Sequence, residues 1–558
     1  MTVEKASAKK KHPKIESIKK PIIIGGLITA VAITGMIVGI NIYLKSAQSE
    51  DVLYFLGHGF PFTIDPLDVM DRVDMDIINQ VAEGLFDFDE NSEIIYCLAK
   101  SYDLSNDGLN LTCTLREGVK FHDGTPFNAA AVKWNFDRAY RLIGNIPFAY
   151  LWLLPDGRLI INETQVLDEY IVKFILNAPY GALLNFFAST YSYIVSPTAT
   201  PADEFITEDL IGTGPFIYDY YTDNKIIMSA NPYYWGGKPK IDKLVFLIPT
   251  KSVEEALLSG ELQMKKDVWF NESTLTSFRS NDSFTVTDPM PTPYLDFIVM
   301  NNNFINITMR KAISYAFNYS NYLYSNRHIC AKGPIPECIL YHNITGIDLP
   351  YYNITFARRT LKDGNWPGTD QLTANNNISA GNEWELLANS STPLAIYNYS
   401  ACYNWPWSIW YADRIVENLK QIGVKVEPFN LSSAEWWCIN YELGGYHRDM
   451  IELGYSFWYA DYNDPSNFIN EFYTNKRLGE NMGQVNDTVL QELLEDALME
   501  INATVRKQLY YKIQKRLVEE VYPNVWLNCR TRTDIYVSNL RGWYFHPFKD
   551  NLKIVYFV

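Results

Sequence analysis

Between Pro21 and Leu44 the chain carries no charged residue. A helix of that length, at 1.5 Å per residue, is long enough to span a hydrocarbon core. Seven lysines precede the run, so the positive-inside bias keeps the N-terminus in the cytoplasm. Residues 1–20 are then a cytoplasmic Lys-rich tail, 21–44 a single-pass anchor, and everything after Leu44 is extracellular. A cleaved signal peptide is the alternative, with Ser46-Ala47-Gln48 as a weak cleavage site. The run exceeds a usual signal-peptide apolar core, and an uncleaved anchor is expected. No cysteine lies near it to carry a lipid.

Three counts agree with an extracellular body. The first 45 residues have a net charge of +6, which leaves −22 for the remainder of a chain at −16. An acidic body is a poor fit to nucleic acid. Fourteen Asn-x-Ser/Thr triplets begin at Asn110, Asn162, Asn271, Asn281, Asn306, Asn318, Asn343, Asn353, Asn377, Asn389, Asn398, Asn430, Asn486 and Asn502, all after the anchor. They predict a glycoprotein. All seven cysteines also follow it. Cys330 and Cys338 are close enough in sequence to close a short disulfide loop, and the odd count leaves at least one thiol free.

At 558 residues the chain is too long for one core. Patterning alternates strands with helices. Hairpins are expected around Asp107-Gly108 and Asp168-Glu169. Helices are expected over 70–85, 127–140 (capped by Asn128), 252–259, 309–319, 407–422, 487–500 and 504–521. Gly212-Thr213-Gly214-Pro215 reads as a structural turn, because it lacks the Lys-Ser/Thr of a phosphate loop. His122-Asp123 also reads as a turn. The densest proline stretch, 288–293, reads as a hinge or linker. The mixture predicts α/β lobes.

The block from Leu115 to Phe127, with Arg116-Glu117-Gly118 and Phe121-His122-Asp123-Gly124-Thr125-Pro126, resembles the signature of family 5 extracellular solute-binding proteins. These are the peptide/nickel-type binding components of ABC importers. Four further blocks agree in the family's order: Gly212–Phe216, Asn231–Lys240, Arg310–Phe317 and Leu419–Val426. The resemblance runs from about residue 52 to the C-terminus. The charge-free run and crowded sequons look more like archaeal membrane-anchored members. The resemblance implies an α/β, periplasmic-binding protein-like type II fold with three domains in two lobes, following the N-terminal transmembrane helix. Domain I would combine 50–95, 208–287 and 528–558, domain II would be 96–207, and domain III 288–527.

The candidate site is Phe457-Trp458-Tyr459-Ala460-Asp461-Tyr462-Asn463-Asp464-Pro465. It reads as an aromatic, acidic loop after a strand over 449–455. In peptide-binding relatives an Asp in a Trp-x-Ala-Asp-Tyr motif pairs with the peptide's ammonium, and Asp461 holds that place. The resemblance gives the backbone groups of Phe457 and Tyr459 the peptide main chain to bind. Asn463 and Asp464 read as turn structure. A calcium loop counted from Asp461 fails, because its sixth and twelfth positions are Ser466 and Phe472. Further aromatic candidates are Trp458, Tyr294, Trp405 and Trp407, with Trp436 and Trp437 beside them. No catalytic residue, cofactor or metal site is expected. The expected protein is a monomer that captures oligopeptides and works with a separate ABC permease and ATPase. Tryptophan density keeps oligosaccharide as the alternative ligand. A secreted hydrolase is the reading from another class, and no recognisable catalytic motif supports it.

Overall fold

The computed structural model describes residues 50–57, 59, 61–323, 327–433, 435, 451–475 and 481–558. The segment 21–44, Trp436, Trp437 and Cys438 lie outside the described residues. Among the described residues no helix is long and apolar enough to cross a membrane.

Three main sheets organise Asp51–Val558. A seven-stranded sheet runs Phe284–Val286, Ile535–Val537, Met264–Lys265, Val52–Leu56, Lys243–Leu247, Lys225–Ala230, Phe216–Thr222. A four-stranded antiparallel sheet runs Ala99–Leu104, Asn110–Leu115, Ile171–Leu176, Ile161–Asp168. Its first hairpin turns at Asp107-Gly108, where the Gly108 N–H donates to the Ser105 carbonyl at 2.8 Å. Leu111, Cys113 and Leu115 alternate inward, as a half-buried strand requires. A six-stranded mixed sheet runs His328–Cys330, Asn524–Arg532, Met290–Met300, Leu453–Tyr459, Ala395–Cys402, Val424–Leu431.

Two connections pass between the seven- and six-stranded sheets: Phe284–Val286 into Met290–Met300, and Asn524–Arg532 into Ile535–Val537. The proline stretch expected as a linker is largely strand. Pro291 and Pro293 lie inside Met290–Met300, and the register against Asn524–Arg532 shifts between Pro291 and Leu295. A bulge there absorbs residues that cannot donate to a ladder.

The helix expected over 70–85 ends at Val81. Asp71 caps it in a reciprocal box with Asp74. It stops because Glu83 leaves the axis to accept, while buried, from Thr213 Oγ1 (2.8 Å), Tyr234 Oη (2.6 Å) and Trp235 Nε1 (2.8 Å). The Gly212–Pro215 turn packs on this helix end. Gly214 N–H donates to the Val81 carbonyl at 2.9 Å, and a Cβ at Gly212 would lie 2.1 Å from that oxygen. Asn128 caps Ala129–Leu142 as expected. The disulfide expected between Cys330 and Cys338 is not formed. Both are free thiols, one exposed at the end of a short strand and one half-buried in a turn.

The C-terminal segment is fastened through His546 to the turn between strands Phe86–Phe88 and Ile94–Tyr96. Its Nδ1 accepts from the Phe548 and Lys549 N–H groups (3.1 and 3.0 Å), which leaves Nε2 to donate to Ser92 Oγ at 3.1 Å. Burial pushes this imidazole down to about 4. The unfolded chain takes up a proton near the ordinary value of 6.5 and the folded chain does not, so stability rises with pH between about 4 and 6.5. Acidification across that window should cost on the order of 3 kcal/mol through His546. Urea midpoints at pH 7 and pH 4.5, for the native chain and His546→Gln, should differ in pH dependence by that component.

Candidate functional site

Leu453–Tyr459 lies inside the six-stranded sheet, so Phe457-Trp458-Tyr459 is strand rather than the expected loop. It pairs antiparallel with Met290–Met300, with Tyr294 opposite Tyr459 and Asp296 opposite Phe457. On its other side it meets Ala395–Cys402 only at Leu453 and Gly454. The Ala460 N–H donates to the Pro293 carbonyl at 2.9 Å. By the alternation of an antiparallel ladder, the backbone groups of Phe457 and Tyr459 point away from Met290–Met300. They face the side from which Ala395–Cys402 has diverged.

Side chains alternate with the same period. Phe457 stacks on Tyr294 (centroids 5.5 Å, planes 10° apart) and meets Trp405 edge-on at 5.8 Å. Trp405 stacks on Trp407 at 5.8 Å and 9°. Tyr459 meets Tyr294 edge-on at 6.3 Å. Four of the expected aromatics and Tyr459 therefore form one row. Trp405 and Trp407 belong to the start of helix Pro406–Lys420, one as its cap and one inside its first turn. Trp458 takes the opposite face. Its Nε1 donates to Asn467 Oδ1 at 3.0 Å and its ring packs edge-on against Phe472.

Asp461 sits two residues beyond the strand end, half-buried. Asn467 grips it twice: the Asp461 N–H donates to Asn467 Oδ1, and Asn467 Nδ2 donates to Asp461 Oδ2, each at 2.8 Å. Tyr150 Oη donates to Oδ2 at 3.0 Å and Tyr191 Oη to Oδ1 at 2.9 Å. Burial, and then the Asp461 charge, push the Tyr191 phenol well above its ordinary value. It remains a donor at any working pH. Tyr150 and Tyr191 arise from short 3-10 turns, Ala149–Trp152 and Thr190–Ser192, with no periodic signal in sequence.

Asn463 and Asp464 are turn structure. Asn463 accepts from the Leu340 N–H and donates to the Ser92 carbonyl, at 2.9 and 3.0 Å. Asp464 caps the Ser466 N–H at 2.9 Å and pairs with Arg506 through two contacts of 2.5 and 2.8 Å. Burial alone would lower the Arg506 guanidinium, but Asp464 and Tyr510 hold it well above its ordinary value. Sequence reasoning missed Arg506 as well as the two tyrosines.

The end of the strand edge thus carries a carboxylate acceptor beside flat aromatic faces, groups that can hydrogen-bond and stack on a ligand. Among the described residues no group of three or more His, Cys, Asp or Glu could hold a metal ion.

The bacterial extracellular solute-binding proteins, family 5, match the chain over residues 93–480. The glutathione-binding protein GsiB of Pectobacterium atrosepticum is 26% identical over 529 residues, covering 89% of this chain and 92% of that protein. HbpA2 from Haemophilus parasuis superposes with a TM-score of 0.76 at 21% identity, over 91% of this chain and 100% of that one. The periplasmic binding protein DppA from Helicobacter pylori, in complex with the peptide STSA, gives 0.70 at 22%, over 92% and 99%.

Proposed function

We propose that this chain, which belongs to the family 5 extracellular solute-binding proteins, captures oligopeptides between two lobes and delivers them to the permease of an ABC importer. It catalyses nothing in this reading. The observation that carries it is the strand edge at Phe457 and Tyr459, which ends on the Asp461 carboxylate. An extended peptide can add to such an edge through its main chain, reading no side chain, with its ammonium on Asp461. The similar DppA and GsiB bind a peptide and glutathione respectively, which supports the same class of ligand. Native mass spectrometry of the purified protein is expected to release co-purified peptides. Release of oligosaccharide instead would favour the second reading, for which the parallel Trp405–Trp407 stack is the supporting feature.

The finer parts of the reading follow from the sequence. Residues 21–44 anchor the chain in the cell membrane with 1–20 inside, and 50–558 carry domain I (50–95, 208–287, 528–558), domain II (96–207) and domain III (288–527). The sequons are glycosylated. Among the described residues thirteen asparagines are buried, and none of them opens a sequon. The mass of the protein from its own cell should then exceed the 64.3 kDa of the sequence.

Lobe closure brings Gly181 against the turn after Thr488–Met499. Its N–H donates to the Leu498 carbonyl at 2.8 Å, and a Cβ there would lie 2.4 Å from the Glu500 carbonyl. Nearby, Tyr180 and Tyr462 hydroxyls meet at 3.1 Å. Gly181→Ala is expected to weaken peptide binding about tenfold by disfavouring closure, since about 1.4 kcal/mol suffices for that. Titration calorimetry reads the affinity, and small-angle scattering should show a larger radius for the variant with ligand.

A further inference from the structure

One sequon stands apart in how the fold presents it. Asn377-Ile378-Ser379 forms the tip of the loop between helices Ile354–Asp363 and Glu383–Ala388. Residues 376–381 are all exposed. The base of the loop is held on both sides. Arg358, with 0% exposure, donates to the Asn375 carbonyl and to Asn375 Oδ1, both at 2.9 Å, and to Asn382 Oδ1 at 3.2 Å. Trp384 Nε1 donates to the Thr373 carbonyl, and Asn382 Nδ2 to the Ser379 carbonyl, each at 3.0 Å. An exposed tip on a pinned base offers the same three residues to solvent in one conformation.

Within the tip the sequon folds on itself. The Ser379 N–H and the Ser379 hydroxyl both donate to Asn377 Oδ1, at 3.0 and 2.6 Å. Two donors on the carbonyl oxygen polarise the amide and make its Nδ2 protons more acidic. Other sequons are placed differently. At Asn271, Asn306 and Asn353 the Oδ1 serves a helix start, accepting from the Thr274, Met309 and Phe356 N–H groups. At Asn162 and Asn398 the sequon is divided between surface and core. Both asparagines are exposed, but Thr164 and Ser400 are 1% and 0% exposed. Thr164 lies opposite Phe174 and Ser400 opposite Gly454, and neither hydroxyl has a hydrogen-bond partner among the described residues. Reaching either hydroxyl from outside means unpairing a strand.

We propose that Asn377 is the principal glycan acceptor of the folded chain, modified by an oligosaccharyl transferase from a lipid-phosphate-linked oligosaccharide. This rests on the reading above that the sequons are glycosylated, and it orders them. In the transfer Asn377 Nδ2 forms a bond to the anomeric carbon of the sugar. The bond from that carbon to the phosphate oxygen breaks, and the lipid phosphate leaves with the electron pair. One Nδ2 proton passes to a base of the transferase. Oδ1 takes no part in the new bond, so its hydrogen bond from the Ser379 N–H survives. The sequon is read as a unit, so its amide and its hydroxyl have to be reached together. Opening a strand pair to expose Thr164 or Ser400 populates a minor state of the fold, and occupancy at Asn162 and Asn398 should be at least about tenfold lower than at Asn377.

The test is glycopeptide and intact-mass spectrometry of the full chain purified from its own cell, for the native protein, Asn377→Gln, Ser379→Ala and Ser379→Thr. In the native protein Asn377 should be occupied almost completely, with Asn162 and Asn398 at the bottom of the order. Asn377→Gln and Ser379→Ala should each lose the mass of one glycan, and Ser379→Thr, which keeps a hydroxyl, should retain it. If Asn377 is bare while other sequons carry sugar, the site is overturned and the glycoprotein reading stands. If Asn162 and Asn398 are occupied as fully as Asn377, modification does not act on the folded chain and the proposal is likewise overturned. If no sequon carries sugar, the glycoprotein reading falls and the site with it. Occupancy in the native protein decides the matter even should a variant fail to fold, and thermal melts of the three variants identify that case.

Discussion

Replacing Asp461 with Asn is expected to lower the affinity for a free-amine peptide by roughly 100- to 4000-fold, and that for the same peptide N-acetylated by only a few-fold. The substitution keeps the volume and removes the charge. Leaving a desolvated ammonium without its carboxylate costs about 3–5 kcal/mol, and each 1.4 kcal/mol is a decade in affinity. The surroundings sharpen the effect. Tyr150, Tyr191 and Asn467 all donate to the carboxylate. An amide offers one acceptor oxygen for those donors and turns its NH2 group towards the rest. Parallel calorimetric titrations with the two peptides read both numbers. Equal losses for the two would remove Asp461 from the ammonium role.

Asp464→Ala should act three residues away in a different currency of measurement. Asp464 is fully buried, and Arg506 is 2% exposed. Removing the carboxylate strands a buried guanidinium, which costs about 3–5 kcal/mol of stability. The urea midpoint should fall with little change in slope. The double variant Asp464→Ala, Arg506→Met should recover much of the loss, because the stranded charge is then gone. Folded Asp464→Ala protein should still distinguish free from acetylated peptide. Asp461 and Asp464 are thus separable, although both are acidic residues of one short stretch.

Much of the secondary structure was legible from local chemistry. Asp107-Gly108 marks its hairpin, and Asn128 marks its helix start, because a turn and a cap are decided by residues within three or four positions. Errors arose where distant groups intervened. The helix over Arg72–Val81 ends early because Thr213, Tyr234 and Trp235 draw Glu83 off its axis. Pro291 and Pro293 read as linker, yet lie in a strand, because a bulge spares them from donating. Three consecutive aromatics show no alternation, so the run reads as a loop in the sequence. Only pairing with Met290–Met300 separates Phe457 and Tyr459 from Trp458.

By itself the sequence determined the family, the mixed α/β class and the choice of Asp461 as the acid to watch. Those follow from ordered motif blocks and from residue types close together in the chain. The tertiary structure alone decided what surrounds that acid. Tyr150 and Tyr191 reach Asp461 across 311 and 270 residues, and Arg506 reaches Asp464 across 42. Arg72 and Arg530 meet one tyrosine pair from opposite ends of the chain. A carboxylate's partners are set by Coulomb and hydrogen-bond geometry over a few ångströms of space. Separation along the chain carries no record of that distance until the sheets have been assembled.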